Sequence, residues 1–193
     1  HPSLAANSIK DLIALARSKP GELNYATTGG GSSSYLAGEL FKSLAGVNIV
    51  NISYKGVGLA LTDLIAGRVQ LMIPPSTATA PHVKSGKLRA LAVTSVEPSP
   101  FYPGLPTAAA AGLPGYEMVS RTGVFAPAKT PALIIKRLNQ ELVRFLQGAE
   151  AKQKFLNVGV ETVGSSPDEF AAIIKSEISL FSKVIRDTRI KPE

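Results

Sequence analysis

Apolar positions along this chain follow two rhythms, and over the first half the two alternate. Leu12, Ile13, Leu15 and Ala16 supply one face of a predicted helix. It starts at Ser8-Ile9-Lys10-Asp11, with Ser8 as N-cap and Asp11 three residues on, and stops at Lys19-Pro20-Gly21. Leu23 to Ala26 reads as a short strand. Leu36, Leu40, Phe41 and Leu44 then recur at helical spacing, predicting a helix from about Ser33 to Leu44 with Gly46 at its C′ position. A second strand is expected over Ile49 to Tyr54, a helix over Leu59 to Ala66 stopped by Gly67, and a third strand over Val69 to Ile73. A helix from Ser76 to Lys84 and a fourth strand from Leu88 to Thr94 complete the series. Helix and strand alternating with short connections predict an α/β fold, a parallel-dominated sheet covered by helices on both faces.

The rhythm changes at Pro98. Five prolines between Pro98 and Pro114 leave an irregular connection with one short helical piece, Thr107 to Ala111. Tyr116 to Phe125 reads as an extended segment crossing between two lobes. Beyond Ala126-Pro127 the pattern is helical. Thr130 is the expected N-cap of a helix with Pro131 at N1, striped by Leu133, Ile134, Leu138, Leu142, Phe145 and Leu146 and ended by Gly148. A short helix from Ala149 to Leu156 and an extended Val160 to Val163 follow. Ser166-Pro167-Asp168-Glu169 is a full capping box, opening a last helix lined by Phe170, Ile173, Ile174, Ile178, Phe181 and Ile185. Residues 127–193 thus carry two wide apolar stripes and almost no sheet, so they require a partner surface.

Composition narrows the class. Of 193 residues 45% are hydrophobic and 18% charged, which places the chain among globular proteins. No apolar run is long enough for a membrane-spanning helix. Cysteine is absent, which removes disulfides and thiolate metal sites. The net charge of +7 is spread along the chain and the aromatics are few, unlike the clustered basic stripe of a nucleic-acid binder. A general positive field still attracts acidic small molecules. The chain opens on His1-Pro2-Ser3 without an initiator Met and reads as a processed end or the middle of a protein.

The chemistry is decided by elimination around one stretch, Tyr25-Ala26-Thr27-Thr28-Gly29-Gly30-Gly31-Ser32-Ser33-Ser34, which reads as strand, glycine loop and helix start. Three glycines permit positive φ and close approach, and the serines bring hydroxyls and open N–H groups to a helix N-terminus. The loop has neither the Gly-Lys-Ser/Thr ending of a phosphate loop nor the last glycine and distal acid of a dinucleotide fingerprint. It lacks the second glycine of a nucleophile elbow, and His82, late in a helix, is no evident base. His1 and His82 offer no metal-ligand spacing, so neither a metal nor a cofactor is expected. Three predicted strands end in loops that begin helices: Thr28 to Ser34, Lys55 to Gly58, and Pro74 to Thr77. In an open parallel sheet these gather at the carboxyl ends of the strands. They would form an anion site without catalytic equipment, competing with plain capping for Ser76 and Thr77 and a solvated surface role for Lys55.

Several spaced motifs then agree with one family. Asn24-Tyr25-Ala26-x-x-Gly29-x-Gly31-Ser32, Leu36-Ala37-Gly38-Glu39-Leu40-Phe41 and Tyr54-Lys55-Gly56 occur in order, followed by Ala60-Leu61-x-Asp63-Leu64 and Gly86-Lys87-Leu88-Arg89-Ala90-Leu91-Ala92-Val93-Thr94. Pro106-Thr107, Ala126-Pro127-x-x-Thr130-Pro131 and Pro167-x-Glu169-Phe170 complete the set. Together they resemble the substrate-binding proteins of tripartite tricarboxylate transporters, the Bug or TctC family. The resemblance implies a type II periplasmic-binding-protein-like fold. It also implies a secreted, non-enzymatic periplasmic receptor that binds a small organic acid between two lobes and delivers it to membrane permease subunits. A signal peptide and the opposing jaw are then expected upstream of His1. Residues 1–122 correspond to lobe two and 123–193 to the C-terminal return into lobe one, whose exposed helices would favour self-association. The site residues implied are Thr28, Gly29, Gly31, Ser32, Ser33, Lys55, Gly56, Ser76 and Thr77, with Arg121 as a bidentate carboxylate partner or a solvated arginine. Two positions depart from the family pattern: Pro74-Pro75 stands where an acidic or amide residue is common, and Arg121 near a usual aromatic. The first disfavours an amino-acid ligand. A ligand-sensing domain of a regulator is the alternative class, and an enzyme the weakest.

Overall fold

The computed structural model describes residues 1–188. The chain divides into two units, residues 1–120 joined by the chain from Lys183, and residues 121–182.

In the first unit, α1 (Ile9–Ser18) starts at Ser8, whose Oγ accepts from the Asp11 N–H at 3.1 Å. The Asp11 carboxylate accepts from the Asn7 N–H at 3.0 Å. That bond and the Ser8 contact hold the Asp11 carboxyl below its usual range. The sheet has three parallel strands, β1 (Asn24–Thr27), β2 (Val50–Ser53) and β3 (Leu71–Met72), in the order β2-β1-β3. Ala26 lies opposite Ile52 on one side and Met72 on the other. Each strand leads into a helix: α2 (Ser33–Ala45), α3 (Val57–Ile65) and α4 (Ser76–Lys84).

The expected fourth strand does not form. Leu88 to Thr94 makes a single parallel bridge, Val93 with Thr107. The ladder of β3 ends at Met72, and the prolines that follow Ile73 bring no N–H to extend it. The backbone of Val93 is instead spent on Pro106 and Ala108, and that of Thr94 on Met118. Thr107 to Ala111, expected to be a helical piece, is one turn: the Ala111 N–H reaches the Thr107 carbonyl at 2.9 Å.

Successive strand residues face opposite sides of the sheet, so β1 feeds two cores. Tyr25 enters the larger one with Leu12, Ile13, Leu40, Phe41 and Tyr116. Ala26 enters the other with Ala60, Leu61, Leu64 and Val69, against which Ala78 and Val83 pack. Helices α1 and α2 therefore cover one face, α3 and α4 the other. Contact between α2 and β1 is unusually close. A Cβ placed on Gly38 would lie 2.1 Å from Cε2 of Tyr25, which is fully buried.

The second unit holds α5 (Ala132–Gln147), α6 (Ala149–Asn157) and most of α7 (Pro167–Thr188). The capping box at α7 forms in full, with the Glu169 N–H on Ser166 Oγ at 3.2 Å and the Ser166 N–H on Glu169 Oε2 at 2.8 Å. Those bonds depress the Glu169 carboxyl. Helix α5 starts one residue later than expected. Pro131 is its N-cap with extended ψ of 140°, and the Thr130 N–H closes a turn onto Pro127 instead. Val160 to Val163 pairs with no strand among the described residues. The Phe170 ring lies 5.6 Å from that of Phe125, tilted by 51°, and packs on Gly123. Among the described residues of this unit only Ala151 is buried, whereas Leu133, Ile134, Leu138 and Phe145 of α5 are all at least 50% exposed.

Replacing Gly38 by Ala forces the Tyr25 ring or α2 to move. It is expected to destabilise the first unit by roughly 1–3 kcal/mol, read as a lowered midpoint in thermal unfolding followed by far-ultraviolet ellipticity.

Candidate functional site

The three loops that follow the strands lie at one edge of the sheet, because the strands are parallel. The loop after β1 is in the middle, flanked by the loop after β2 and the loop after β3. The Tyr54 N–H donates to the Thr27 carbonyl at 2.9 Å, which brings the β2 loop beside the end of β1. Strand order reverses at β1, and α2 leaves toward one face while α4 leaves toward the other. Diverging helices leave a crevice between the β1 and β3 loops, the place where doubly wound sheets bind their ligands.

The central loop is held by its own hydroxyls. Gly29 and Gly31 take φ of 110° and 75°, in the left-handed region that favours glycine. The Ser32 hydroxyl donates to the Gly29 carbonyl at 2.8 Å and accepts from the Tyr35 N–H at 3.2 Å. Ser34 is buried, accepts from the Thr28 N–H at 3.2 Å and lies 3.1 Å from the Ser32 hydroxyl. The Ser32 side chain, chosen from sequence as a carboxylate contact, is thus occupied as an N-cap. Ser33, at the first position of α2, is exposed. The N–H groups of Ser33 and Ser34 precede the first intrahelical bond, made by Leu36 to Ser32 at 2.9 Å.

The flanking helices are left open. Neither α3, with Gly56 as N-cap, nor α4, with Pro75, receives a side-chain cap. The first backbone bond of α3 is Ala60 N–H to Gly56 at 3.3 Å, so the N–H groups of Val57, Gly58 and Leu59 lie ahead of it. Lys55 and Thr77 are exposed at these two ends. Ser76 is covered in part by Tyr102, whose hydroxyl lies 3.4 Å from the Ser76 carbonyl. None of α2, α3 and α4 has an acidic residue in its first turn, whereas α1 of the same unit has Asp11. An exposed helix N-terminus favours an anion by about 0.3–1 kcal/mol; three at one edge, with Lys55, add to one another. Asp63, on α3, is engaged elsewhere. Its carboxylate accepts from Arg68 at 2.7 Å and from the Tyr54 hydroxyl at 3.0 Å, and Arg68 above all lowers its pKa.

Arg121 belongs to the second unit, where its guanidinium donates to Glu177 of α7. A cleft of ≈ 560 Å³ in the first unit, lined by Val83, Leu88, Arg89, Tyr102 and Leu105, involves none of the three loops. The Arg89 guanidinium there is spent on the carbonyls of Pro2, Leu4 and Ala6. No group of three or more metal-ligating side chains exists among the described residues. Sequence reasoning named Ser34 only as part of the glycine loop, and Tyr25, Gly38 and Glu39 only as motif residues with no contact assigned. A detectable signal was present: a glycine and a glutamate inside the apolar stripe of a predicted helix, where each is costly unless it serves a contact.

Known proteins share the sequence and fold of this chain. A family model described as tripartite tricarboxylate transporter family receptor (TctC) matches residues 1–190. The UPF0065 protein in the tcbD-tcbE intergenic region of Pseudomonas sp. (strain P51) is 37% identical over 183 residues, 94% of this chain and 54% of that protein. Among solved structures, R. palustris Rpa4515 with adipate superposes with a TM-score of 0.86 at 39% identity, covering 99% of this chain and 64% of that one. MatC (Rpa3494) from Rhodopseudomonas palustris with bound malate gives 0.74 at 28% identity, covering 94% and 63%. The chain spans little more than half the length of that Pseudomonas protein and of Protein BugT from Bordetella pertussis (strain Tohama I), to which it is 36% identical over 191 residues, 99% of this chain and 59% of that protein.

The glycine loop separates two kinds of cost. A Cβ on Gly31 meets nothing within 4 Å, so Gly31→Ala pays only for its left-handed backbone, about 1–2 kcal/mol. Ser32→Ala removes the cap and is expected to cost about 1 kcal/mol. Chemical denaturation of the two variants checks both values, and a Ser32→Ala protein as stable as the parent would show that the cap is dispensable.

Proposed function

This chain belongs to the tripartite tricarboxylate transporter receptor family, and from that premise we propose that it captures a small organic carboxylate at the glycine loop for delivery to a membrane permease. One observation carries the reading: three helix N-termini meet at one sheet edge with no acidic residue in their first turns. A carboxylate there would accept from the first N–H groups of α2, from the Ser33 and Thr28 hydroxyls, and from Lys55, with Gly56, Ser76 and Thr77 lining the flanks. The Ser32 hydroxyl shapes the loop, and Gly29 and Gly31 let the backbone approach the ligand. This reading leaves Arg121 to its ion pair with Glu177. The loops hold no acid and base pair, so the site is suited to capture and release.

The ligand class is a linear dicarboxylate, by analogy with the adipate and malate named for two similar proteins. In this reading residues 1–122 form one lobe and the chain from residue 123 belongs to a second. The permease reads the loaded receptor, and the protein works in the periplasm. The exposed stripe of α5 disposes the isolated chain to self-association.

Two measurements test these statements. Calorimetric titration of the chain with adipate and with malate should detect binding of at least one. Ser33→Asp, which places a like charge on the helix end, should weaken it about tenfold or more. Binding of neither acid, or an affinity indifferent to Ser33→Asp, overturns the carboxylate site. Sedimentation velocity should show concentration-dependent association that is abolished by Leu138→Glu with Phe145→Glu. A parent protein that stays monomeric throughout sinks that part.

A further inference from the structure

A buried polar cluster in the first unit has no part in the site just described, yet it joins the two elements that bracket the glycine loop. Tyr25 of β1 is fully buried, and its hydroxyl donates to Glu39 Oε1 of α2 at 2.7 Å. Lys42 Nζ donates to the same oxygen at 2.7 Å. Glu39 is 5% exposed. Burial first, and then the Glu39 carboxylate, raise the Tyr25 phenol well above its ordinary range, so it keeps the proton it donates. Beside this bond Gly38 admits the Tyr25 ring against the helix backbone. Thr27, two residues along the same face, donates to Asn51 Oδ1 of β2 at 2.7 Å. The end of β1 is therefore pinned to α2 through Tyr25 and to β2 through Thr27, immediately before Thr28.

We infer that Tyr25 and Glu39 are positioning residues for the glycine loop. Tyr25 lies three residues, about 10 Å of strand, before Thr28. Glu39 lies six residues, about 9 Å of helix, after Ser33. The loop between has glycines at Gly29, Gly30 and Gly31 and little stiffness of its own, so its shape depends on where its two ends are held. The clasp sets that separation, and the bonds of the loop follow from it: Thr28 N–H to Ser34, Ser32 N–H to Gly29, and Tyr35 N–H to Ser32. The bond could merely stabilise the fold. Its placement argues otherwise, since most of the core around Tyr25 is apolar and an apolar pair at positions 25 and 39 would fill the same space without burying a carboxylate. The consequence for a ligand rests on the carboxylate reading above; the positioning of the loop does not.

Amide hydrogen exchange resolved by residue tests this in the absence of any ligand. Tyr25→Phe and Glu39→Ala should each raise exchange at the Thr28 and Tyr35 amides about tenfold. Exchange at Leu12 in α1 and Ala60 in α3 should change by less than about twofold, as for sites outside the clasp. Glu39→Gln retains a carbonyl acceptor for the phenol and should keep the Thr28 and Tyr35 rates near the parent's. If Tyr25→Phe does not fold, the Glu39 pair decides. Equal acceleration at all four amides means a purely structural bond and overturns the inference, as does no acceleration in the loop. An accelerated loop in a protein that never binds adipate or malate supports the positioning role while removing the carboxylate reading.

Discussion

The first unit depends on how closely α2 can approach β1. Gly38 has no side chain, so the Tyr25 ring lies against the helix, and its hydroxyl finds Glu39 one residue further on. Two opposed costs are settled together. A buried phenol needs an acceptor, and a buried carboxylate needs donors, which Tyr25 and Lys42 both provide. The remaining contacts of that face, Leu12, Ile13, Leu40, Phe41 and Tyr116, are apolar and form around this fixed point. Tyr116 adds a second tie, donating to the Ala37 carbonyl of the same helix at 3.0 Å.

From that packing the functional edge follows. With α2 on one face of β1 and α3 and α4 on the other, the helix starts diverge while their loops stay side by side. Each loop solves its backbone problem differently. The β1 loop uses glycines and an internal serine cap. The β2 loop leaves Gly56 without a cap, and the β3 loop enters its helix through two prolines. The common result is an edge rich in N–H groups and hydroxyls and poor in acids. In the proposed reading, such an edge favours a bound anion.

The second unit shows what happens when amphipathic helices lack a surface to cover. The α5 stripe is correctly spaced for burial, yet Leu133 and Phe145 are 81% and 58% exposed. Local order persists through a cap and a few contacts within the unit: the Ser166 and Glu169 box, the Phe125 and Phe170 pair, and the Asn139 bond to the Ser165 carbonyl. The Pseudomonas sp. (strain P51) relative and the Rpa4515 structure are both longer than this chain.

Much of this was legible in the order of residues. The α/β alternation, the caps at Ser8, Ser32 and Ser166, the αL end at Gly46 and the glycine loop all depend on interactions within a few residues, and local pattern predicts such features well. The spaced motifs also pointed to the family. The fourth strand failed because a strand exists only where a neighbour has free backbone groups, and Val93 found Pro106 and Ala108 instead of β3. Arg121 was offered, from its place in the family pattern, as a carboxylate partner or a solvated arginine; its pairing with Glu177 spans 56 residues and has no local signature. For the same reason sequence offered Ser32 as a contact when its hydroxyl is turned back onto the loop, and passed over Tyr25 and Glu39, 14 residues apart. Residue order by itself determined the helices and the glycine turn, because those choices are made by neighbours along the chain. Only tertiary structure decided which hydroxyls remain free, which charges are already paired and what holds the loop in place, because those depend on groups brought together by packing.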